Sequence, residues 1–155
     1  AASPVSKENL AIAKSWLASS DEYNLLVNGT AITAFPVYYQ NDLALLRQSL
    51  RIVQAGTEVA EVKGKDLIPA HGLAMSRLLK TSVFPTEALT YEQAIAYLRK
   101  EAIVLPPSVP KGYVLVTYKE IPLGFVKNIG NRANNLYPQE WRIRSGYLPD
   151  DIRTL

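Results

Sequence analysis

Two runs of strand-forming residues, 113-YVLVTY-118 and 121-IPLGFVK-127, are separated by Lys119-Glu120 alone. Valine, tyrosine and phenylalanine suit a pleated sheet, and a two-residue gap leaves room only for a tight turn. The spacing therefore predicts an antiparallel pair. Pro122 has no N–H for the ladder, so it belongs at a strand start or on an edge. Just ahead, 105-LPPSVPKG-112 holds three prolines, which forbid a helix and predict an extended connector.

Upstream of that connector, helix and strand signals alternate. Ser6 opens a helix running to Leu17, with Leu10, Ala13, Trp16 and Leu17 on one side. Residues 23–27 and 30–35 around Asn28-Gly29 predict a hairpin with a tight turn. A short helix is expected over 41–50, then β-rich pieces over 51–63 and a turn at Gly64. Pro69 is expected to begin a helix carrying Leu73, Met75, Leu78 and Leu79. Thr90 and Gln93 have capping-box spacing, ahead of a face formed by Ala94, Tyr97 and Leu98. These signals predict an α+β protein: a mixed α/β portion over 6–103 and a strand-rich portion over 104–148.

Composition excludes several kinds of chemistry. The 155 residues suit one domain or two small subdomains, and 48% are apolar, as in a globular chain. No apolar run approaches the roughly 18 residues of a membrane span, so no membrane partner is expected. There is no cysteine, which removes disulfides, thiolate nucleophiles and cysteine metal sites. One histidine and scattered acids form no metal-ligand cluster, so the expected metal set is empty. His71 is expected to anchor its turn rather than act as a base. Asp150 and Asp151 are adjacent and would face opposite ways on a strand, so the expected catalytic set is empty too. Met75 is the sole methionine, so the chain does not begin at its own initiator.

Charge is unevenly placed. Residues 1–110 carry ten basic and ten acidic side chains. Residues 111–144 carry six basic ones, Lys111, Lys119, Lys127, Arg132, Arg142 and Arg144, against Glu120 and Glu140. A local field of one sign attracts polyanions. Alternation in 141-WRIR-144 predicts a strand with Trp141 and Ile143 inward and both arginines outward, where guanidinium forks grip phosphates. The segment 128-NIGNRANNLYP-138 is rich in Asn and Gly and is expected to be irregular. Asn128 and Asn134 are candidate base or shape contacts, and Tyr137 a candidate stacking residue, with tight-loop and core roles as alternatives. The expected RNA-binding set is thus Lys111, Lys119, Lys127, Asn128, Arg132, Asn134, Tyr137, Arg142 and Arg144.

The stretch 112-GYVLVTY-118, the Pro122-Leu-Gly-Phe-Val-Lys127 run, 134-NNLYP-138 and 142-RIR-144 resemble the PUA-like C-terminal region of the Fmu/RsmF-type RNA cytosine-C5 methyltransferases. Upstream, 51–76 and 91–103 resemble the region that precedes it there, so the resemblance spans roughly 20–144. It implies a small PUA-like RNA-binding β-barrel over 104–148, packed on the mixed α/β portion over 6–103, that helps hold structured ribosomal RNA for a separate catalytic domain in cis. It also implies S-adenosylmethionine for the parent enzyme and none for this chain. Cytosine C5 methylation needs a thiolate, which this sequence lacks, and its scattered glycines form no cofactor turn. A non-enzymatic piece of a longer cytoplasmic protein is therefore expected. The alternative is a stand-alone ribosome-biogenesis or protein-interaction module.

Overall fold

A computed structural model of the chain describes residues 4–37 and 56–144. The helix expected over 41–50 lies outside these residues. The chain divides into two compact units, 1–83 and 84–155.

In the first unit, helix α1 (Lys7–Ser15) begins at a full capping box. The Ser6 hydroxyl accepts from the Asn9 N–H at 3.0 Å, and Asn9 Oδ1 accepts from the Ser6 N–H at 2.9 Å. Such a cap contributes about 1 kcal/mol. Ala13, Trp16 and Leu17 are buried. Backbone bonds from Ala18 to Leu78 and from Lys80 to Trp16, each 2.8 Å, tie the helix end to 78–80. Strands β1 (Tyr23–Asn28), β2 (Ala31–Pro36), β3 (Thr57–Lys63) and β4 (Asp66–Pro69) form an antiparallel sheet in that order. Asn28 pairs with Ala31, so the loop positions are Gly29 and Thr30, one residue later than the expected Asn-Gly turn. Gly29 has φ +63 at the first loop position, where a type II′ turn favours glycine. Helix α2 (His71–Met75) is shorter than expected. The Ser76 hydroxyl donates to the Leu73 carbonyl and accepts from the Leu78 N–H, which diverts the backbone before Leu78 and Leu79 can join the helix.

The second unit contains β5 (Thr86–Ala88), α3 (Tyr91–Leu98), β6 (Gly112–Tyr118), β7 (Ile121–Asn128) and β8 (Ala133–Asn135). Its sheet has the order β5-β6-β7-β8, with β5 parallel to β6 and the other pairs antiparallel. The α+β class read from the sequence is the class observed. The division lies at 83/84, not at the 103/104 read from the proline connector. Two features carry the earlier residues into the second unit: β5 pairs with Leu115–Thr117, and α3 shares a core with β6 and β7.

That core is Ala94, Tyr97, Ile103, Leu105, Val114, Val116, Val126 and Ala133 with Leu89. Each fully buried valine contributes roughly 1.5–3 kcal/mol. Thr90 and Gln93 form the expected capping box. Lys119 and Glu120 both take positive φ, +49 and +69, as a two-residue type I′ loop requires. Two sequence expectations fail here. The amide-rich segment contains strand β8, because Ala133 fills the core and Lys127 and Asn128 pair with Asn134 and Ala133. Residues 141–144 form no strand: Gln139–Trp141 is a 3-10 turn, and Trp141 is 59% exposed instead of buried. Its alternating pattern is overruled because the Ile143 N–H donates to Leu98 at the end of α3, not to a strand.

Tyr97 joins helix and sheet. It is fully buried, its hydroxyl donates to the Phe125 carbonyl at 3.0 Å, and its ring meets Tyr137 edge-on. Burial, with a smaller contribution from Tyr137, holds its phenol well above the usual pKa. The folded state thus favours the neutral form, so this contribution is complete below about pH 10 and is lost as pH rises further. Tyr97→Phe should cost about 1 kcal/mol at pH 7 and remove that alkaline loss. Urea titrations of both proteins at pH 7 and about pH 11 should show the gap between them closing.

Candidate nucleic-acid interface

Register decides which side chains meet. Val114 pairs with Val126, and both are fully buried on the α3 face. Side chains alternate along a strand, so Tyr113, Lys127 and Asn134 occupy the opposite face. Tyr113 pairs with Lys127, and Lys127 pairs with Asn134, which makes one row across three strands. Lys127 Nζ lies 5.6 Å from the Tyr113 ring centroid, a cation–π distance. Arg132 Nε donates to Asn134 Oδ1 at 3.3 Å. Lys111 runs over the neighbouring loop: a Cβ at Gly130 would sit 3.2 Å from Lys111 Cε. Asn134, Arg132 and Lys111 are exposed, while Lys127 and Tyr113 are half-buried.

The row therefore combines three cations, an amide and a ring. Lys127 is held by the ring and Arg132 by the amide, so less side-chain freedom remains to be lost when an anion binds. Tyr113 was not among the candidates from sequence. The two-residue turn alone would set Tyr113 opposite Val126; a register shift between Val116 and Thr117 moves it opposite Lys127, and nothing in the sequence spacing announces that shift.

The other candidates lie elsewhere or have different work. Lys119 is at the β6–β7 turn, six residues of strand from Tyr113 or roughly 20 Å, with its Nζ 5.5 Å from the Tyr118 ring. Asn128 is turned inward and only 3% exposed. Its Nδ2 donates to the Val109 and Pro110 carbonyls, and its Oδ1 accepts from the Gly130 N–H. It clamps the proline connector to the sheet and is not presented to a ligand. Tyr137 packs against the core and meets Tyr97 and Trp141 edge-on, at centroid distances of 5.4 and 6.5 Å. Its half-buried ring takes part in packing. Arg142 and Arg144 do come together, in an open cleft they share with Arg99, Glu101 and Ile143.

Among the described residues no three His, Asp or Glu side chains group as a metal site. His71 is partly buried, and that burial lowers its pKa, favouring the neutral ring.

The comparisons with known proteins fall on the same region. Residues 84–143 match the family described as the methyltransferase RsmF PUA domain. This segment is an RsmF-type PUA domain. The match starts at the residue where the second compact unit starts. The chain is 31% identical over 117 residues to a ribosomal RNA small subunit methyltransferase F from Enterobacter sp. (strain 638), a match covering 76% of this chain and 23% of the relative. It is 28% identical over 99 residues to the protein of that name from Klebsiella pneumoniae (strain 342), covering 64% and 20%. The chain thus spans about a quarter or less of the length of these curated relatives.

Within the PUA domain, the roles of Asn128 and Lys127 separate experimentally. Asn128→Ala strands two carbonyls and an N–H, and should destabilise the domain by about 2–3 kcal/mol. Lys127→Ala should change stability by less than about 1 kcal/mol. Thermal and urea denaturation of the two variants check the contrast.

Proposed function

We propose that this chain is an RNA-binding module, and that the outer row of the second sheet is where it holds RNA. Tyr113, Lys127, Arg132 and Asn134, with Lys111 beside them, carry the reading. Ammonium and guanidinium groups neutralise phosphates, and an exposed amide accepts or donates to a base edge or a sugar. The PUA-domain match supports RNA as the ligand. The relatives' printed name supports ribosomal RNA of the small subunit as its class.

On this reading the chain works as the RNA-holding portion of a longer cytoplasmic protein. A catalytic domain in cis would bind S-adenosylmethionine and transfer its methyl group to a base. The chain's own residues would only position the RNA. None of them supplies a thiolate, so the chain alone is expected to incorporate no methyl group into RNA when incubated with the cofactor.

Fluorescence anisotropy with a small-subunit ribosomal RNA fragment tests the proposal. If about four phosphates are neutralised, log affinity should fall with log salt at a slope of roughly −3. The double variant Lys127→Glu, Arg132→Glu should weaken binding by at least about tenfold, the equivalent of about 1.4 kcal/mol. Its circular dichroism should stay unchanged. Binding without salt dependence, or unaffected by the double substitution, would contradict the proposal.

A further inference from the structure

Arg99 was not among the basic residues singled out from sequence, yet it lines one cleft of about 360 Å³ with Arg142 and Arg144. Arg99 caps α3, and its backbone N–H turns back to the carbonyls of Ile95 and Ala96. The Ile143 N–H donates to the Leu98 carbonyl at 2.8 Å, which brings the C-terminal arginines to the helix end. Arg142 Nη1 donates to the Gln139 carbonyl at 3.3 Å, fixing one side of its fork. Arg99 Nε is buried and has no hydrogen-bond partner among the described residues.

An unpaired buried donor on a charged group is uncommon in native proteins, and a bound acceptor is one way to satisfy it. Among the described residues, three guanidinium groups against the carboxylate of Glu101 give the cleft a positive balance. Planar forks match the oxygens of a phosphate in pairs, which three lysines would not do. We propose that this cleft binds a phosphate group, and that in function the group is a phosphodiester of the RNA held on the sheet face. The second half of this statement rests on the RNA-binding reading above.

Strand β8 lies between the two cationic places. Asn134 and Asn135 point to opposite sides of it. Asn134 bonds Arg132 in the outer row, while Asn135 Nδ2 donates to the carbonyls of Tyr97 and Glu101, beside the cleft. On this proposal an RNA strand crosses β8 from the outer row to the cleft.

The test follows arginine Nε–Hε resonances of the nitrogen-15-labelled chain during titration with inorganic phosphate, against chloride at matched ionic strength. Saturable shifts are expected at Arg99, Arg142 and Arg144 and not at Arg77. Glu101→Gln should tighten phosphate binding severalfold by removing the opposing charge. Arg99→Gln should abolish the saturable response and weaken RNA binding roughly fivefold to tenfold. Arg99→Lys, which keeps the charge and loses the fork, should recover only part of both. No saturable response at Arg99, or an equal response to chloride, overturns the site.

Paired oligonucleotides with and without a 5′-phosphate separate the sources. Equal effects of Arg99→Gln on both support an internal phosphodiester. An effect confined to the phosphorylated one overturns that source in favour of a terminal phosphate. A chain that binds phosphate at Arg99 but no RNA retains the cleft while removing the RNA reading. A chain that binds RNA without any phosphate response at Arg99 does the reverse.

Discussion

The pairing of Val114 with Val126 is the constraint from which the outer face of the second sheet follows. Both valines are fully buried under α3, so the β6–β7 register is fixed by the core. A slip of one residue would send Tyr113 and Lys127 inward and expose the valines, at a cost of several kcal/mol. The charged row is therefore a consequence of apolar packing on the other side of the same strands. The proposed RNA-binding row and the stability of the sheet share one register.

The core does its work through few contacts. Tyr97 fills the space between helix and sheet and places its one polar atom on the Phe125 carbonyl. Lys100, at φ +69, donates through Nζ to the carbonyls of Asn135 and Tyr137. Asn128 holds the proline connector through Val109 and Pro110. Amide and ammonium groups that look alike in sequence thus divide into those that fasten the backbone and those that face outward.

Much of the fold was legible because local signals were strong. Helix α1 begins after Ser6 as expected, the Thr90–Gln93 capping box forms as its spacing predicts, and the 119–120 turn follows from two β runs with a two-residue gap. What escaped notice depends on distant partners. Strand β5 is three residues of Thr-Glu-Ala with no strand signal of their own, and it exists because β6 offers a parallel edge. Strand β8 has poor strand formers, yet Ala133 anchors it to the core and Ile103 bridges to it. Trp141 to Arg144 alternates as a strand would, but no strand edge receives it. Of the candidate site, Lys111, Lys127, Arg132 and Asn134 converge, while Lys119 lies at the far turn. Arg142 and Arg144 meet Arg99 instead. Arg99 was hidden by its place at a helix end, where a basic residue ordinarily complements the helix dipole.

The central claim is that the outer row of this sheet, set by the register of the inner valines, is where RNA is held. Nuclear magnetic resonance mapping of amide and lysine signals during RNA titration tests it most directly. The account expects the largest shifts at Tyr113, Lys127, Arg132 and Asn134, with Lys119 at the distant turn little changed. Shifts centred on Lys119 and the first unit, with the row silent, would contradict it.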